Sequence, residues 1–114
     1  MGNRAAVVDR RMLSATLAQR PALERYAKLR FDRQSGNYVL LSPERGLKLN
    51  QSAADILQRC DGSRSIATII EELLVKLADT SATAAGLRAE ITRDVTHLLL
   101  ELRQHGLLRF EAAP

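Results

Sequence analysis

Residues 41–78 read LSPERGLKLNQSAADILQRCDGSRSIATIIEELLVKLA, and here the local signals agree on where each element starts and stops. Ser42 and Pro43 open a turn, with Gly46 following as the residue that tolerates unusual backbone angles. In Leu47, Lys48 and Leu49 apolar side chains alternate with a charged one, the period of a half-buried strand. Asn50 or Ser52 then caps a helix whose apolar positions, Ala53, Ile56, Leu57 and Cys60, recur at helical spacing, and Asp61 and Gly62 stop it. Ser65 caps a second helix with Ile66, Ile69, Ile70, Leu73, Leu74 and Leu77 on one side, leaving Glu71, Glu72 and Lys76 to solvent.

Working outward, Lys28 to Asp32 alternates polar and apolar and reads as a first strand. Gln34 to Asn37 turns the chain, and Tyr38 to Leu41 is a second strand, more apolar on both faces. Leu47 to Asn50 completes an antiparallel meander, and as its last strand it is expected at an edge. Asp79 to Gly86 reads as a polar loop. A third helix is expected from Leu87 to His105, ended by Gly106, with Leu87, Ile91, Val95, Leu98, Leu99 and Leu102 in one core-facing arc. Leu107 to Phe110 continues as a short extended tail. The expected fold is α+β and winged-helix-like: a three-stranded antiparallel sheet followed by three helices, β-β-β-α-α-α. Residues 1 to 20 carry no sustained period and read as a mobile basic arm, with the single domain occupying 21 to 114.

The run GLKLNQSAADILQRCDGSRSIATII, with KLRFD at 28–32 and YVLLSPER at 38–45, resembles the PqqD family of pyrroloquinoline quinone biosynthesis. The resemblance extends from about Pro21 to Phe110, and its most specific parts are LN-x-x-A-x-x-IL at 49–57 and CDG-x-RS at 60–65. It implies the same winged-helix-like fold and a peptide-binding role. Family members hold the ribosomally made precursor PqqA and present it to PqqE, a radical SAM enzyme that cross-links a Glu and a Tyr side chain. It also implies strand addition: the peptide pairs with the third strand and places apolar side chains in a groove beside the third helix. Carried onto this chain, the peptide-binding residues are Gly46, Leu47, Lys48, Leu49 and Asn50, with Val95, Leu99, Leu102 and Arg103 on the helix.

Composition is consistent with such a role. The 114 residues suffice for one core, and 46% hydrophobic with 26% charged residues is ordinary for a globular domain. No apolar run reaches the roughly 18 residues of a membrane span, and the opening MGNRAA has neither a signal-peptide core nor a myristoylation pattern, so the expected location is the cytoplasm. The formal charge of +4 sits in the first 30 residues, where seven basic and two acidic residues give 7 − 2 = +5; the remainder gives 10 − 11 = −1. A groove-reading DNA-binding protein concentrates cations on its docking element, so the alternative of a winged-helix transcription factor is disfavoured by the mixed charge of the helices.

Catalytic constellations are missing. There is no phosphate-binding glycine loop, no nucleophile elbow and no histidine pair at ligand spacing, since His97 and His105 lie eight residues apart on one helix. A single cysteine, Cys60, falls on an apolar helix face and reads as a buried structural thiol. The expectation is a binding protein rather than an enzyme, without metal or cofactor. Leu100 points about 160° from the centre of the apolar arc, among Arg93, His97 and Gln104. A presenter that holds peptide and enzyme together needs two surfaces, which makes Leu100 the candidate for docking the enzyme.

Overall fold

The computed structural model describes residues 15–44, 46–77 and 84–111. Eight elements follow in order: β1 (Arg20–Leu23), β2 (Lys28–Asp32), β3 (Asn37–Leu41), β4 (Gly46–Lys48), α1 (Gln51–Leu57), α2 (Ile66–Lys76), α3 (Ala84–Gln104) and β5 (Leu108–Glu111). The architecture is the expected α+β, winged-helix-like one. Its meander has the strand order β2-β3-β4, all antiparallel, with Leu29, Leu40 and Leu47 in one transverse row. Because side chains alternate along a strand, that row defines the inner face, and Leu40 is buried while Arg30 and Lys48 on the opposite face are exposed.

Two strands were not anticipated. β1 pairs antiparallel with β5, from Arg20↔Glu111 to Leu23↔Leu108, as a separate two-stranded sheet. The extended tail expected at 107–110 is thus β5, and the boundary drawn at Pro21 falls inside β1. The chain is engaged before it: residues 15–17 are helical, Leu17 packs against the core, and the carbonyl of Gln19 accepts from the N–H of Ile66 at 2.9 Å. Residues 1–14 of the expected arm and 79–83 of the expected loop lie outside the described residues.

The helices are capped largely as the sequence suggests. Asn50, rather than Ser52, caps α1 by accepting from the N–H of Ala53 at 2.8 Å, and Ser65 caps α2 by accepting from Thr68 at 3.1 Å. α3 begins at Ala84, nearly a turn before the expected Leu87. Gly106, at φ 75°, ends it, with the N–H of Leu107 donating back to the carbonyl of Leu102 at 2.9 Å.

The CDG turn is tied to β1, with Ala22 and Asp61 forming an isolated antiparallel bridge. Gly62 has φ 85°, and a Cβ there would come within 2.9 Å of the Glu111 carboxylate and 3.6 Å of the Ala22 Cβ. Its N–H donates to the carbonyl of Pro21 at 2.9 Å. Asp61 holds the turn from inside by accepting from the backbone N–H of Ser63 at 2.9 Å. Glu72 clips it to α2, accepting from Arg59 Nε at 3.0 Å and Arg64 Nε at 2.9 Å. The core beneath comprises Leu40, Ile56, Leu57, Ile66, Ile69, Leu99 and their neighbours, so sheet and helices share one apolar interior.

Candidate peptide-binding edge and groove

β4 is three residues long and pairs only with β3 among the described residues, leaving its other edge open. The direction of its backbone groups follows from one bond. Leu49 donates its N–H to the carbonyl of Tyr38 at 2.9 Å, which continues the β3–β4 register past Lys48. Neighbouring residues present their N–H and C=O to opposite edges, so Leu47 and Leu49 face β3 and Lys48 faces outward. Side chains alternate in step: Leu49 is buried, Leu47 half-buried, and Gly46, Lys48 and Asn50 exposed. Among the described residues the edge therefore has free backbone polar groups and no bulky apolar side chain, and Lys48 on it discourages indiscriminate pairing.

Immediately after Asn50 the first turn of α1 joins a groove between the three helices, with room for about 260 Å³. Its floor is apolar: Ile56 from α1, Leu73 from α2, and Ile91 and Val95 from α3, all buried. Asp55, Glu90 and Asp94 stand around it. Asp55 is 8% exposed and held by Lys76 Nζ at 2.8 Å and by Gln51 Nε2, which donates at 3.0 Å.

The residues expected on the helix fall in three places. Val95 lines this groove. Leu99 and Leu102, at 0% and 5% exposure, belong to the core and are reached by no ligand without repacking. Arg103 lies elsewhere, its guanidinium 4.9 Å from the ring centre of Phe110 in β5, and it shares a shallow depression with His97, Leu100, Glu101 and Gln104. Leu100 is 43% exposed, as its position outside the apolar arc requires. In the sequence Glu90 and Asp94 are two among the mixed charges of the third helix. The usable signal is their i,i+4 spacing on the flank of the apolar arc, next to Ile91 and Val95.

Little reactive chemistry accompanies this surface. Burial, with the charge of Asp61 second, pushes the Cys60 thiol up to about 12, and its Sγ donates to the carbonyl of Ile56 at 3.3 Å. Among the described residues no cluster of His, Cys, Asp and Glu can hold a metal ion, and no helix is long and apolar enough to cross a membrane. The cations around α2 are committed to carboxylates, Arg88 to Glu71, Arg59 and Arg64 to Glu72, and Lys76 to Asp55, which leaves no basic stripe there for phosphates.

Known proteins resemble this chain in sequence, and one solved structure resembles it in fold. The chain is 43% identical over 98 residues to a protein of Rhodopseudomonas palustris (strain BisB5) named PqqA binding protein, covering 86% of this chain and 89% of the relative. A protein of the same name from Xanthomonas oryzae pv. oryzae (strain PXO99A) is 41% identical, covering 86% and 99%. The solution structure of the PqqD part of Methylobacterium extorquens PqqCD, described as a stand-alone recognition element for ribosomally synthesized and post-translationally modified peptides, superposes with a TM-score of 0.59. It is 31% identical and covers 78% of this chain and 87% of that one. The family described as coenzyme PQQ synthesis protein D matches residues 37–108, from β3 through the three helices to the start of β5. With that match and these relatives, the chain belongs to the PqqD family.

Proposed function

We propose that this chain binds the precursor peptide PqqA by strand addition to β4 and presents it to the radical SAM enzyme PqqE, acting in the cytoplasm as a binding protein and not as a catalyst. The observation that carries this reading is the outward-facing backbone of Lys48 on an open edge that leads into an apolar groove. Family membership and the names of the relatives supply the identity of the peptide. Leu100, exposed among His97, Glu101 and Gln104, is the proposed contact for the enzyme, leaving β4 free for the peptide.

Magnitudes fit an exchangeable presenter. Three to five backbone hydrogen bonds at about 1 kcal/mol net, and two or three apolar anchors at about 2 kcal/mol each, give on the order of 7–11 kcal/mol before the costs of association. Ordering the peptide and losing rigid-body freedom reduce this to an affinity of about micromolar. Titrating the isotope-labelled chain with PqqA and following amide shifts tests the reading. The expected shifts cluster at Gly46–Asn50 and along the groove; shifts confined to β2 or β5 would overturn it.

A further inference from the structure

The groove between the three helices is apolar at its floor and negative at its rim, and the rim charge is uneven in its use. Of the rim carboxylates, Asp55 is neutralised by Lys76. Glu90 and Asp94 are exposed, line the same groove, and have no ion-pair partner among the described residues. Four residues apart on α3, they lie on one face and repel each other, a cost that a cation placed between them removes. The groove opens at Gln51 and Ser52, directly after Asn50. A strand laid on the outward edge at Lys48 reaches it within a few residues, at roughly 3.3 Å per residue.

We infer that this groove is a specificity subsite for a basic side chain of the bound peptide: an apolar residue seats over Ile56 and Val95, and a neighbouring Lys or Arg places its cation between Glu90 and Asp94. The inference rests on the strand-addition reading and extends it, because backbone pairing alone accepts any extended sequence, whereas a paired carboxylate rim over an apolar floor rejects acidic ones. Lys48 on the open edge and the acidic rim beyond it present opposite charges along the path, which also fixes the direction of a peptide whose own charges are unevenly distributed.

Calorimetric titration of the full chain with synthetic PqqA tests this, using wild type, the isosteric double variant Glu90→Gln/Asp94→Asn, and PqqA analogues in which each Lys or Arg is replaced singly by Gln. The double variant is expected to keep its circular dichroism spectrum and lose about tenfold in affinity at low salt, with the loss shrinking at high salt. One analogue is expected to bind wild type correspondingly more weakly and to suffer no further loss against the double variant. If wild type binds PqqA while the double variant binds within about twofold of it, or if every analogue loses equally against both proteins, the subsite is wrong and strand addition stands. If wild type and a fold-preserving Lys48→Pro variant bind PqqA equally, strand addition falls and this inference with it.

Discussion

The backbone N–H of Leu49 and the carbonyl of Tyr38, 2.9 Å apart, fix which residues of the open edge are bound to the sheet and which are turned away from it. Proline removes a donor without removing the strand, so the two neighbouring positions separate folding from recognition. Lys48→Pro is expected to preserve the thermal transition within a few degrees and weaken PqqA binding by about tenfold or more. Leu49→Pro breaks the bond to Tyr38 and removes a buried leucine, with an expected loss of about 3 kcal/mol or more in denaturant unfolding.

Adjacent leucines on α3 are expected to behave as opposites. Leu99 is fully buried and Leu100 is 43% exposed. Leu99→Lys places an unpaired charge in the core and is expected to unfold the domain or cost about 4 kcal/mol or more. Leu100→Lys is expected to change stability by less than about 0.5 kcal/mol and leave PqqA affinity intact, while weakening the complex with PqqE in a pull-down or titration. Unfolding of the Leu100→Lys variant would remove the case for a second surface.

Truncation from the N-terminus has a sharp limit. Removing residues 1–14 is expected to leave the melting temperature and PqqA affinity unchanged. Removing 1–20 takes away Leu17, the Gln19 carbonyl that accepts from Ile66, and the first residue of β1. That larger deletion is expected to cost about 2 kcal/mol, from one lost hydrogen bond and one half-buried leucine.

Cys60 gives the domain an alkaline signature. Its thiol, ordinarily titrating at 9.0, is pushed up to about 12 in the fold, so the folded state binds the proton more tightly than the unfolded one. The stability tied to this group is fully present below pH 9.0 and is lost as pH rises toward 12, at a slope approaching about 1.4 kcal/mol per pH unit. Subtracting the pH dependence of Cys60→Ala, measured by urea unfolding from pH 8 to 10.5, isolates that slope. A parallel pair of curves would place the thiol in contact with solvent.

Much of this molecule was legible in its sequence because the informative signals are local. Asn50 and Ser65 are good caps followed at once by helical periodicity, and the arc from Leu87 to Leu102 identifies the buried side of α3. β1 was not legible. RPAL is four residues long, contains a proline and does not alternate, and its partner lies at the far end of the chain. The same distance hid the anchoring of the CDG turn, whose Gly62 takes a φ of 85° while its N–H donates to the carbonyl of Pro21 in β1. The open edge at Gly46–Asn50 could be read from the order of the strands. Its groove could not, since a helical arc shows that Val95, Leu99 and Leu102 are buried without showing that Val95 borders a depression.

The pairing of β1 with β5 also governs when the domain can be finished during synthesis. Arg20 meets Glu111 across 111 − 20 = 91 positions of chain, so the first strand leaves the ribosome and waits for that much further synthesis before its partner appears. At roughly 5–20 residues per second that interval lasts on the order of 5–20 s, long compared with helix and hairpin formation. The meander and α1 can assemble in the meantime, while Pro21 and Ala22, both buried in the finished domain, have no β5 to cover them. The nascent chain thus passes through a state in which the recognition edge is built and the β1 end is still open, and it is the emergence of β5 that closes it.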